Sequence, residues 1–137
     1  MREFKEFVAT GIIKKRGKNE ARAKSLVDAA ERRKIVMEKY LPLNSETSIQ
    51  VIEECYDVIR ELLEAKLIKE GYKTYSHEAV VSYLKEMGFS EDKVVFLDEL
   101  RKVRHGTKYY GEQADEDYAR KVKNFLIEIY SKLRGSI

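Results

Sequence analysis

The spacing of apolar residues along the chain predicts helices over most of its length. Between residues 45 and 70 apolar side chains recur at intervals of three and four, which is the period of one helix face. These positions are Ile49, Ile52, Tyr56, Ile59, Leu62, Leu63 and Leu67. The same period predicts further helices over residues 2–16, 19–40, 77–87, 90 to 104 or 105, and 116–134. No strand is evident.

Residues that cap and interrupt helices set the expected boundaries. Pro42 biases Leu41 away from helical backbone angles, so the second helix should end near residue 40. Ser45, Ser76 and Asp115 are suited as N-caps, because their side-chain oxygens can accept hydrogen bonds from the first turn. Ser90 should start a helix whose first turn is acidic. The glycines expected to end helices are Gly71, Gly88, Gly106 and Gly135.

These elements predict an all-α fold, an up-and-down bundle of about five to six helices in which short connections place neighbours antiparallel. The length of 137 residues is typical of a single domain, spanning residues 1–137. Composition agrees, with one proline, seven glycines and abundant helix formers. The high charged fraction, 37%, and only two glutamines are typical of heat-tolerant proteins.

The composition also bears on location. No apolar stretch reaches the ~18 residues of a membrane span, and charges interrupt the N-terminus too early for a secretory signal. The single cysteine, Cys55, cannot form an internal disulfide and has no companion residues at metal-ligand spacing. We therefore expect a cytoplasmic protein that contacts no membrane and carries neither a metal nor another cofactor.

Charge is unevenly distributed along the chain. Residues 1–40 hold 12 Lys and Arg against 6 Asp and Glu, whereas the remainder has a net charge of −3. This basic N-terminal region could contact nucleic acid or an acidic partner. A solvated helix face is the alternative, because acidic residues remain interspersed.

The segment 101–111 carries the densest set of chemically versatile side chains. It contains Arg101, Arg104, His105, Lys108, Tyr109 and Tyr110, between the end of one predicted helix and the start of the next. Guanidinium and ammonium groups can hold phosphate, and aromatic rings can stack on bases. The segment therefore predicts a ligand-binding cluster. For the two arginines, the alternative is pairing with Asp98 or with the last carbonyls of their own helix.

Three strings resemble the HEPN family (higher eukaryotes and prokaryotes nucleotide-binding): Gly71-Tyr-Lys-Thr-Tyr-Ser-His-Glu-Ala79, Leu100-Arg-Lys-Val-Arg-His105 and Tyr109-Tyr-Gly111. The likeness is strongest over residues 45–134 and closest to small stand-alone archaeal members. It implies a HEPN-like helical bundle that forms a homodimer and binds RNA or a nucleotide. It also implies that the chain is one half of a toxin–antitoxin pair, with a nucleotidyltransferase antitoxin as partner.

Many members of that family carry an arginine, often a polar residue directly after it, and a histidine that is separated from the arginine by four to six residues. Arg104 and His105 match the arginine and the polar residue, but Tyr109 and Tyr110 occupy the positions reached after four and five intervening residues, where the motif has its histidine. A neutral imidazole accepts a proton near neutral pH, whereas a phenol stays protonated. The resemblance therefore implies a binding cleft, with the motif histidine replaced by tyrosine.

Two alternatives remain at this stage. One is an active, metal-independent endoribonuclease in which Arg104 and His105 are catalytic, although adjacent residues on a helix point about 100° apart. The other is a non-catalytic helical adaptor for a protein partner. His77, after the N-cap Ser76, is expected to be a surface or capping histidine.

Overall fold

A computed structural model describes residues 2–137, and over this range the chain forms six helices and one short two-stranded ribbon. The elements in chain order are α1 (Phe4–Ala9), β1 (Lys14–Lys15), α2 (Glu20–Tyr40), α3 (Ser48–Lys69), β2 (Tyr72–Lys73), α4 (His77–Glu86), α5 (Glu91–Tyr109) and α6 (Glu116–Gly135). The prediction of an all-α helical bundle is confirmed.

Helix α3 lies at the centre of the bundle, in contact with α2, α4, α5 and α6. Its predicted apolar stripe is buried from Ile52 to Leu67, because other helices cover it on several sides. The apolar positions of α6 pack into the same core, among them Val122, Leu126 and Leu133. Removal of this apolar surface from water, at about 25 cal/mol per Å², is the main force that holds the helices together.

The prediction of one helix over residues 2–16 is wrong beyond Ala9. Helix α1 ends there, and the chain reverses at Gly11, whose φ of 79° suits a residue without a side chain. Residues 14–15 then pair antiparallel with residues 72–73, although no strand was evident from the sequence. Ile13 is buried at the start of this ribbon, so burial overrides the local helical pattern.

The start of α3 also differs from the prediction, because Thr47 and not Ser45 precedes the helix. The side chain of Asn44 accepts hydrogen bonds from the amides of Glu46 and Thr47, at 2.9 and 3.1 Å. This local turn replaces the expected serine cap. The caps at Ser76 and Asp115 are confirmed, since each accepts a hydrogen bond from the third residue beyond it.

No helix within the described residues combines the length and the apolar character that crossing a lipid bilayer requires.

Candidate nucleic-acid interface at the end of α5

Helix α5 extends one turn further than predicted and brings residues 105–109 into regular helical geometry. Gly106 does not end it: the helix continues to Tyr109, and the chain turns at Gly111, whose φ is 65°. The carbonyl of Gly106 accepts hydrogen bonds from the amides of Tyr110 and Glu112, at 3.0 and 3.2 Å. The turn that closes the helix is thus built on Gly106, and the residue that permits the reversal is Gly111.

Arg104 points into the molecule, not toward solvent. It is only 7% exposed, and its Nη2 donates hydrogen bonds to both carboxylate oxygens of Asp57, at 3.1 and 3.3 Å. The guanidinium also lies 5.9 Å from the centre of the Tyr56 ring. A buried, charge-assisted pair of this kind anchors α5 to α3. The arginine that carries the family likeness is therefore engaged inside the chain.

Arginines from three helices approach the carboxylate of Asp57. Besides Arg104 of α5, Arg60 of α3 approaches it to 3.6 Å and Arg33 of α2 to 3.9 Å. Arg33 also pairs with Glu54 at 3.0 Å and with a second carboxylate of α3. The surroundings of Arg104 therefore hold enough negative charge to neutralise it, and they offer no excess positive charge to an incoming phosphate.

Arg101, the other arginine predicted to bind ligand, is engaged as well. Its Nε donates to Asp98 at 2.9 Å, one turn earlier on the same helix. This is the pairing that the sequence offered as the alternative. Arg101 and Arg104 thus do not converge to hold one phosphate within a single chain.

The other four predicted residues lie together on the outer surface of the end of α5. The ring of His105 is 4.9 Å from that of Tyr109 and 5.5 Å from that of Tyr110, and Lys108 Nζ is 5.5 Å from the Tyr109 ring. Tyr109 and Tyr110 are 60% and 72% exposed. We refer to His105, Lys108, Tyr109 and Tyr110 as the α5 platform. Such a set of accessible rings beside one cation suits stacking on planar groups.

The helix period separates the adjacent residues Arg104 and His105. Arg104 is buried against Asp57 of α3, whereas His105, about 100° further around the helix, is exposed. A base on the surface and a cation that is buried and paired do not meet at one phosphodiester within a single chain. The acidic residues that follow the platform, including Glu112 and Asp115, also reduce its attraction for phosphate, so its chemistry is mainly aromatic.

Sequence reasoning missed Asp57, although the chain contains a signal for it. Asp57 lies between Tyr56 and Val58, and all three residues are buried. A carboxylate at a buried position needs a cationic partner, because desolvating an unpaired charge is costly. This signal indicates that a partner exists, but it does not say which arginine provides it.

His77 and Cys55, the remaining candidates, have different environments. His77 is exposed, although its ring centre lies 6.3 Å from that of Tyr56; desolvation on the side that faces the protein, together with the charges of Arg60 and Arg104, lowers its pKa. Cys55 is fully buried 3.5 Å from the sulfur of Met37, and burial raises its thiol pKa to about 12. No group of three or more potential metal ligands occurs in the part of the chain that the structure describes.

Comparisons with protein-family models, with curated proteins and with solved structures found no match. The likeness to the HEPN family therefore rests on the motif residues quoted above.

Proposed function

We propose that this chain is a HEPN-like, non-catalytic RNA-binding protein that acts in the cytoplasm as a homodimer. The observation that carries the proposal is the α5 platform, in which three accessible rings and one ammonium group lie within about a turn of helix. Stacking between a base and an aromatic side chain stabilises single-stranded RNA complexes by about 1–3 kcal/mol per base. The resemblance adds the expectation of a nucleotidyltransferase partner in a toxin–antitoxin pair.

Binding is favoured over cleavage because of where the two motif residues lie. A metal-independent ribonuclease needs a base and a cation at the same scissile phosphate. Arg104 is buried and held by Asp57, whereas His105 is exposed. A homodimer that brings one chain's His105 to its partner's Arg104 would first have to release that arginine from a buried ion pair, which is costly.

The experiment that tests the proposal compares RNA affinity across matched tyrosine variants. The double variant Tyr109→Ala/Tyr110→Ala should weaken binding of a short single-stranded RNA by about thirtyfold or more, because two stacked rings at about 1–3 kcal/mol each contribute at least about 2 kcal/mol. Tyr40→Ala is the control, because Tyr40 is 69% exposed on α2, much like Tyr110. Equal affinity in the double variant and the control would reject the platform as the contact surface.

Two further measurements separate the alternatives. Incubation of RNA with the wild type in excess chelator, beside His105→Ala, tests for cleavage: products that disappear in the variant would favour the endoribonuclease. Analytical sedimentation measures the mass of the protein in solution and so tests whether it forms the proposed homodimer. Absence of RNA affinity at low salt, where phosphate contacts are strongest, would leave the helical adaptor as the better interpretation.

A further inference from the structure

A cleft of about 420 Å³ lies at the other end of α3 from the α5 platform. Its walls come from the chain after β1, the start of α2, the end of α3, and the segment from β2 to the first residue of α4. Such a volume is within the range of small-molecule sites. Near the platform, Thr107 of α5 contacts Glu53 of α3, whereas the first residue of α3 that lines the cleft is Glu64. These two positions are eleven residues apart along α3, which corresponds to roughly 16 Å. The two sites are therefore distinct.

Three cations line this cleft: Arg16, Arg22 and Lys73. All three are exposed, and within residues 2–137 none of them forms an ion pair with a carboxylate. The backbone explains how they meet, because the amide of Arg16 donates to the carbonyl of Gly71 at 2.7 Å and fixes the ribbon beside the start of α2. Most other arginines that the structure describes are paired, so the charges of Arg16 and Arg22, with Lys73 beside them in the cleft lining, are available to an anion.

The surroundings of Tyr75 are a second indication that these three cations lie near one another. Its ring is 88% exposed and lies 5.2 Å from Lys73 Nζ. The nearby Lys73 ammonium, together with the charges of Arg22 and Arg16, lowers the pKa of its phenol. The three cations thus act on one oxygen at the rim of the cleft, and an aromatic face is available next to them.

The lining of the cleft also includes an acidic group. Glu64 contributes a carboxylate that Arg60 holds at 3.0 Å, and His77 lines the cleft as well. An acceptor there disfavours a second anionic group but suits hydroxyl or amino groups as hydrogen-bond donors. The cleft therefore matches a ligand with an anionic head, a planar ring and a hydroxyl-bearing body.

We propose that this cleft binds the phosphate monoester of a nucleotide, supplied either as a free ribonucleoside monophosphate or as the 5′ end of an RNA strand. A monoester carries about two negative charges near neutral pH, whereas a diester carries one, so three unpaired cations favour the monoester. Arg16, Arg22 and Lys73 hold the phosphate, and Tyr75 stacks on the base. The site does not require the α5 platform to bind RNA.

Calorimetric titration with defined probes tests the proposal. The free probes are the four ribonucleoside 5′-monophosphates, the four nucleosides and inorganic phosphate, and the RNA probes are one oligonucleotide with a 5′-phosphate and the same one with a 5′-hydroxyl. Monophosphates should bind at least tenfold more tightly than nucleosides or inorganic phosphate, or the 5′-phosphate should strengthen RNA binding by at least tenfold. The first result identifies free nucleotide as the source, and the second identifies the RNA end. If neither preference is seen, the proposal is overturned.

Matched arginine variants locate the binding. Arg22→Gln should weaken the preferred probe by about tenfold, and Arg22→Gln/Lys73→Gln by more. Arg32→Gln is the control, because Arg32 is also exposed on α2 and has no ion pair within the described residues. Equal loss in the control and the cleft variants would overturn the assignment.

The α5 platform variant Tyr109→Ala/Tyr110→Ala separates this proposal from the previous one. This variant should still bind the phosphate monoester in preference to the other probes. Rejection of the α5 platform as an RNA-binding site would therefore leave the proposal for the cleft testable. If that preference falls in the platform variant and not in Arg22→Gln, the cleft is the wrong location. Circular dichroism confirms that each exposed substitution leaves the helical content unchanged.

Discussion

Substitution of Asp57 is expected to destabilise the fold strongly, because its carboxylate is the anion paired with the buried guanidinium of Arg104. Asp57→Asn preserves size but leaves the guanidinium of Arg104, which is 7% exposed, without its anion. Removing one partner of a buried pair costs about 3–5 kcal/mol. That is a large part of the 5–15 kcal/mol that stabilises an ordinary domain.

The reciprocal change should cost less. Arg104→Gln leaves Asp57 with Arg60 at 3.6 Å and Arg33 at 3.9 Å, so its charge stays partly compensated. We expect about 2–3 kcal/mol, the value of hydrogen bonds to a charged group. The double variant should cost less than the sum of the two single changes, with a coupling of about 1–3 kcal/mol.

Urea denaturation followed by circular dichroism measures these free energies of unfolding, provided that the slope with urea is unchanged. Arg101→Gln is the control, because Arg101 forms an ion pair with Asp98 on the same helix but is only partly buried. It should cost about 1 kcal/mol or less. If Asp57→Asn destabilises no more than this control, then Arg104 is not held by a desolvated pair and its structural role is refuted.

Four other variants and one chemical probe test the remaining local conclusions. Gly106→Ala should raise stability by up to about 1 kcal/mol, because alanine favours the helix and Glu112 can move its carboxylate out of the space that the new methyl group fills. Gly111→Ala should lower stability by about 1 kcal/mol, because its φ of 65° disfavours a side chain. Equal effects of the two substitutions in thermal melts would contradict the revised helix end. Desolvation and two neighbouring arginines lower the pKa of His77, so the unfolded chain binds the proton more readily and stability falls as the pH drops below about 6.5. His77→Gln should flatten that part of a stability-against-pH curve, and an unchanged curve would count against the assignment. Cys55 is buried and its thiol pKa is raised to about 12, so it should react with a thiol reagent only in denaturant. Cys55→Ala should abolish that reaction, and rapid labelling of the folded wild type would contradict the burial of this residue.

Local features of the fold were predictable from the sequence, whereas contacts between distant segments were not. The caps at Ser76 and Asp115 depend on the next three residues, so their sequence pattern was sufficient. The pairing of Arg104 with Asp57 spans 47 positions, and neither residue's helix pattern encodes which helix becomes its neighbour. The same holds for β1 and β2, whose pairing turns a segment with helical spacing into an extended ribbon.

The cleft could not be predicted for a related reason. Arg16, Arg22 and Lys73 belong to the ribbon and to the start of α2, and only the pairing of residues 14–15 with 72–73 brings them to one side. The sequence showed that the first forty residues are basic but not that part of this charge is left unpaired around a cavity. Charge counts along a chain cannot distinguish a solvated helix face from a binding surface, since that difference lies in which carboxylates are within reach.

The burial of Arg104 and the exposure of His105 determine how any loss of RNA binding should be interpreted. A reduced affinity in an Arg104 variant can arise from loosening of α5, because that arginine holds the helix to Asp57. His105 and the two exposed tyrosines lie on the outer face, where substitution changes the folded state little. Affinity that falls in platform variants at unchanged stability therefore identifies contact with RNA, whereas affinity that falls only in proportion to the free energy of unfolding identifies Arg104 as a positioning residue.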